Sequence, residues 1–116
     1  MERSNADQDW VPLHLLIEQI YLRYRRPIII SETSHYGGNR SAWMRIIIEE
    51  IQKVLAQAIP IMGVCIYPII NRSDWENDDH WHNSGLWDYS LGEDGWHLRV
   101  LTQDYAAEIR RAVQLF

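Results

Sequence analysis

Apolar positions along the chain alternate between two spacings. Leu13, Leu16, Ile17, Ile20, Tyr21 and Tyr24 recur at three- and four-residue steps, which predicts a helix over 11–24 with one buried stripe. Asp9 is placed to cap it, Pro12 suits its first turn, and Pro27 forbids its continuation. Ile28-Ile29-Ile30-Ser31 then reads as a strand apolar on both faces, followed by a loop over 32–40 that holds the Gly37-Gly38 pair. A second helix is predicted from a Ser41 cap to about Ala58. Its buried face is Trp43, Ile47, Ile51, Val54, Leu55 and Ala58, and Glu49, Glu50, Gln52 and Lys53 face water. Pro60 closes it, and 61–67 reads as a second apolar strand, with Pro68 at its end. A long polar loop over 71–96 precedes a last helix over 102–114, whose apolar face is Leu101, Tyr105, Ile109, Ala112, Val113 and Phe116.

The predicted order is helix, strand, helix, strand, helix. Short links between alternating elements imply an α/β fold with two parallel strands in one segment, 1–116. Two parallel strands leave two open edges and cannot be covered on both faces by three helices. The chain therefore reads as a piece of a larger sheet, or as one that associates to complete it.

Composition narrows the class. At 116 residues there is room for one modest domain, and 47% apolar residues exclude disorder. A net charge of -5 weighs against nucleic acid or an anionic membrane as partner. The Arg23, Arg25, Arg26 cluster reads as a helix end favouring cations. Cys65 is the only cysteine, so no internal disulfide forms, and its place in a strand suggests a buried thiol acting as a small hydrophobe. Residues 1–9 do not resemble a signal peptide, and the apolar run over 58–70 is interrupted by prolines and shorter than the ~20 residues of a membrane span. A soluble cytoplasmic protein is expected. The oddity is tryptophan: there are six, and Trp75, Trp81 and Trp87 share one polar stretch. Flat amphipathic rings beside hydrogen-bonding groups suit sugars, whose faces are apolar and whose edges are hydroxyls.

Chemistry collects where parallel strands end and loops begin, which makes Glu32 the candidate catalyst. Its alternative role is to cap a turn or pair with Arg40. Asp74, Glu76, Asp78 and Asp88 are further carboxylates with no fold position that singles one out. Asp78-Asp79-His80-Trp81-His82 has spacing that could bind a divalent metal, but it departs from structural zinc patterns and is better read as a solvated loop. No metal and no cofactor are assigned.

Arg26-Pro-Ile-Ile-Ile-Ser-Glu-Thr33, Gly63-Val-Cys-Ile-Tyr-Pro68 and Trp81-His-Asn-Ser-Gly-Leu-Trp-Asp88 together resemble the C-terminal quarter of clan A (β/α)8-barrel glycoside hydrolases, the group of β-glucosidases, β-galactosidases and cellulases. The resemblance implies a partial TIM barrel, with the two strands as the seventh and eighth. It also implies a β-glucosidase-like hydrolase in which Glu32 is the nucleophile of a retaining mechanism needing no cofactor. Retention requires two carboxyls about 5–5.5 Å apart. The clan's acid/base follows an Asn, and no Asn-Glu pair occurs here, so the second carboxyl is expected from outside this chain. His35 and Arg40 are the neighbours available to keep Glu32 ionised. Trp75, Trp81, His82, Trp87 and Asp88, with His35 and Tyr67, form the expected carbohydrate-facing wall. The expected partners are a carbohydrate and either the missing barrel portion or a second copy.

Overall fold

The chain enters its first helix without a side-chain cap of its own. The computed structural model describes residues 10–116, so Asp9 lies outside the described residues. Helix α1 (Leu13–Tyr24) starts after Pro12, and an acid from another helix takes up one of its first free N–H groups. That acid is Glu50, expected in water but only 6% exposed. Its Oε2 accepts the His14 backbone N–H at 3.0 Å and lies 2.6 Å from His14 Nδ1, while Lys53 binds the other oxygen. A carboxylate at a helix N-terminus satisfies orphan donors and the helix dipole together. Arg25 ends α1 in the left-handed region, donating its N–H to Tyr21 O.

Strand β1 (Ile28–Thr33) and strand β2 (Ile61–Ile66) pair in parallel, with helix α2 (Arg40–Leu55) as the crossover. The expected parallel pair is therefore present. Its two faces differ. Ile28, Ile30 and Ile61 pack with Ile17, Val54 and Ile59 under α1 and α2. Ile29 is 58% exposed and Met62 68%, so the opposite face is uncovered. Cys65 is likewise exposed rather than buried.

Helix α2 starts one residue before Ser41, whose hydroxyl does not cap it but donates to Asp104 Oδ2 at 2.9 Å. It ends at Leu55, short of the expected Ala58, which turns with φ +60° and is exposed while Ile59 takes its place in the core. Met44 and Ile48 join Tyr105 and Ala112 of helix α3 (Gln103–Leu115) in a second core cluster. Trp43 is only half-buried, and Val113 and Phe116, expected on α3's apolar face, are exposed.

The stretch predicted as one long loop is built instead from two antiparallel ribbons. The first pairs β3 (Arg72–Ser73) with β4 (Trp81–His82), and the second pairs β5 (Trp87–Leu91) with β6 (His97–Leu101). The signal was present in Trp87-Asp88-Tyr89-Ser90-Leu91, whose apolar and polar residues alternate strictly, as a half-covered strand requires. Gly92 to Gly95 makes the turn, with Gly95 at φ +80°. Among the described residues no helix is long and apolar enough to cross a membrane.

Val54 has no exposed surface and Ile51 almost none. Ile51→Ala is expected to cost about 2–5 kcal/mol in urea unfolding. Glu50 supplies a pH signature. Burial raises its pKa, but the His14 backbone N–H, Lys53 and the His14 ring outweigh burial and hold it at about 2, against an ordinary 4.5. A carboxyl depressed by folding stabilises fully above its unfolded pKa and loses that contribution as pH falls through the folded value. Stability is thus expected to fall between pH 4.5 and about 2 by on the order of 2–3 kcal/mol in wild type, and by much less in Glu50→Gln.

Candidate functional site

The C-terminal ends of β1 and β2 open into a cavity of about 510 Å³. Glu32 reaches it from the C-terminal end of β1, and Tyr67 and Pro68 from just beyond β2, where the Tyr67–Pro68 peptide is cis. The two strand ends are held in step by the Tyr67 N–H, which donates to Thr33 O at 3.2 Å. The loop after β1 adds Ser34, His35 and Tyr36 to the wall; His82 and Ser84 close it from the β4 side, with Arg72 from β3.

Hydrogen bonds tie these walls together. Ser34 Oγ donates to Ser84 O at 3.2 Å, and the Gly37 N–H donates to Asn83 O at 2.6 Å. His35 packs its ring 5.6 Å from Trp43 and 4.8 Å from Tyr36, and its Nδ1 accepts the Tyr36 N–H. His82 Nε2 lies 2.7 Å from Asp74 Oδ2. Asp74 is held below the usual carboxylate range, first by the Glu76 backbone N–H and then by His82.

Seven lining residues were not singled out from sequence, Trp43 and Arg72 among them. Trp43 sits on a helical stripe and was assigned to the core, yet its Nε1–H reaches across to Thr33 Oγ1 at 2.9 Å and its ring faces the cavity. Arg72 gave no periodic signal. Its position is set by register, since it stands opposite His82 in the β3–β4 pair.

Of the residues expected to face a sugar, Glu32, His35, Tyr67 and His82 come together here; Trp75, Trp81, Trp87 and Asp88 do not line this cavity. Trp75 is 83% exposed beneath the Arg72 guanidinium, 5.1 Å away. Trp81 stacks on Tyr89 at 5.5 Å, and Tyr89 on His97 at 4.6 Å, so these rings join the two ribbons. Trp87 bonds through its backbone to Ile69 and Asn71. Asp88 binds Arg40, whose Nη1 donates to both its carboxylate oxygens at 2.9 Å.

Arg40 had been a candidate partner for Glu32. It is instead 7% exposed and bonded elsewhere: to Asp88, to Gly85 O at 2.7 Å, and through Nε–H to Gly37 O at 2.7 Å. Gly85 is packed so closely that an added Cβ would lie 2.3 Å from the Asn71 nitrogen. Among the described residues no group of three or more His, Cys, Asp or Glu side chains is gathered for a metal ion; His80 and His82 meet edge to face at 5.0 Å.

No protein-family model matches the sequence, and no curated protein matches it. Solved structures do match its fold. A β-glycosidase from Thermosphaera aggregans superposes with a TM-score of 0.70 at 18% identity over 86% of this chain and 21% of its own. A family 1 β-glucosidase from Thermotoga maritima, in complex with isofagomine lactam, gives 0.70 at 14% identity over 94% of this chain and 28% of its own. A β-glucosidase from Exiguobacterium marinum gives 0.69 at 13% over 99% and 28%. The chain thus has an α/β fold resembling part of a β-glucosidase barrel, and spans less than a third of the length of these structures.

Removing one member of a buried ion pair strands the other in a poorly solvated place. Arg40→Ala is expected to destabilise by about 3 kcal/mol in thermal or urea unfolding. Arg40→Lys should recover only part of this, because an ammonium cannot reach Gly37, Gly85 and Asp88 as a planar fork does.

Proposed function

We propose that this chain is the strand-seven and strand-eight portion of a retaining β-glucosidase-like hydrolase, with Glu32 as nucleophile toward a carbohydrate. The observation that carries this reading is the position of Glu32: a carboxylate at the C-terminal end of a parallel strand, in a cavity shared with Tyr67 from the next strand. Parallel α/β sheets gather their chemistry at this end. Among the described residues no side-chain group binds the Glu32 carboxylate, which leaves its oxygens open to a ligand. His35, Tyr67 and His82 offer polar edges and Trp43 a flat apolar face, the combination a sugar ring needs. The fold likeness to β-glucosidases supports the same reading. Trp75 and Trp81, exposed on the β3–β4 ribbon beside His82, form an outer platform; Trp87 and Asp88 serve the framework.

Among the described residues Glu32 is the only carboxylate lining the cavity, whereas double displacement uses two. The acid/base belongs to polypeptide outside this chain. The uncovered face of the sheet, with Ile29 and Met62 exposed, is where such polypeptide packs, and the free outer edges of β1 and β2 are where further strands add. The same single carboxylate favours a second reading, in which the chain is a non-catalytic carbohydrate-binding or assembly portion of such a barrel.

An activated 2-fluoro glycoside separates the two. Covalent trapping on Glu32, seen as an intact-mass adduct that vanishes in Glu32→Gln, is expected when the 116-residue chain is combined with the polypeptide that supplies the acid/base. Sugar binding with no adduct would support the non-catalytic reading. In gel filtration the chain alone is expected to elute larger than a monomer, given its uncovered apolar sheet face.

A further inference from the structure

His82, in the cavity wall, is held from behind by a carboxylate. Its Nε2 is 2.7 Å from Asp74 Oδ2, and the other Asp74 oxygen accepts the Glu76 N–H at 2.8 Å, so the carboxylate cannot swing away without losing that bond. The ribbon fixes both ends of the pair. Asp74 follows β3 directly, His82 ends β4, and the Asp74 N–H donates to His80 O at 2.7 Å across the turn between them.

An ionised carboxylate only accepts hydrogen bonds, so the nitrogen facing it must carry the proton. A neutral ring has one N–H, and the second nitrogen is then a bare lone pair. We propose that Asp74 is a positioning residue that locks His82 as the Nε2–H tautomer, so that the imidazole presents Nδ1 to the cavity as an acceptor for a ligand hydroxyl. No described residue binds that Nδ1. The inference rests on the carbohydrate reading of the cavity, since it supplies that reading with its hydroxyl acceptor. Arg72, opposite His82 in the ribbon, adds a fixed donor to the same wall. The wall therefore pairs an acceptor with a donor, as a hydroxyl that both gives and receives a hydrogen bond requires.

The test is long-range nitrogen–proton NMR of the imidazoles in the full chain, in alkaline buffer where the rings are neutral. Wild type should show His82 with one pyrrole-like nitrogen, Nε2, and one pyridine-like nitrogen, Nδ1. In Asp74→Ala the difference between the two should collapse toward a tautomer average, and Asp74→Glu should restore part of it. Folding of each variant is read from the Trp81–Tyr89 ring-current shifts in the same sample. Glucose added to wild type should move the Nδ1 resonance and leave Nε2 in place. A mixed tautomer in wild type, an unchanged spectrum in folded Asp74→Ala, or an Nδ1 signal indifferent to glucose overturns the proposal. Its failure is separable from failure of the hydrolase reading. A Glu32 adduct with a silent Nδ1 removes only the role of Asp74, whereas an Nδ1 response with no adduct removes only the hydrolysis.

Discussion

A guanidinium taken out of water needs several partners at fixed positions, and Arg40 finds them on two separate stretches of chain. Gly37 O lies in the turn just before it, Gly85 O and Asp88 in the connection leading into β5 and in β5 itself. This one side chain, at the start of α2, sets the distance between the loop that follows Glu32 and the ribbons that carry His82 and Ser84. The close approach at Gly85 is part of the same arrangement, because no side chain fits between the Asn71 nitrogen and the Trp87 oxygen. Asn71 completes it by accepting the Tyr89 N–H at 2.8 Å. Without this knot the cavity would lose one wall relative to the other.

Carboxylates of similar chemistry serve opposite ends here. Glu50 is buried, bound by His14 and Lys53, and spends its charge on joining α1 to α2. Glu108 does the same between α2 and α3, held by Arg45 and Arg111. Asp88 answers Arg40, and Asp74 answers His82. Glu32, in the cavity wall, has no such partner among the described residues. The proposed chemistry rests on this uncommitted acid at a strand end because the other well-placed acids are absorbed by helix docking and ribbon attachment.

The sheet explains why the chain looks unfinished. On its helix side Ile17, Val54 and Ile59 close over Ile28, Ile30 and Ile61. Its other side, with Ile29 and Met62 exposed, is uncovered among the described residues. Strands apolar on both faces were selected for two neighbours, and only one is present within these residues. The fold match over about a fifth to a quarter of each β-glycosidase chain is in keeping with that imbalance.

Local chemistry decided the helices and the parallel strands, though not the two ribbons. Three-and-four spacing gave α1, α2 and α3, isoleucine runs between prolines gave β1 and β2, and their alternation gave the parallel pair, because these features depend on neighbours a few residues away. The acid at the strand end was legible for the same reason. Tertiary structure decided the partners. Glu50 looked like a solvent residue on its helix and Trp43 like a core residue on the same helix, and each took the other role because of groups far along the chain, His14 for one and Thr33 for the other. The composition of 75–87 led to the expectation that its tryptophans face a ligand, but where each ring stands follows from ribbon register and from Arg40 drawing in Asp88, and long-range pairing of that kind leaves no trace in local spacing.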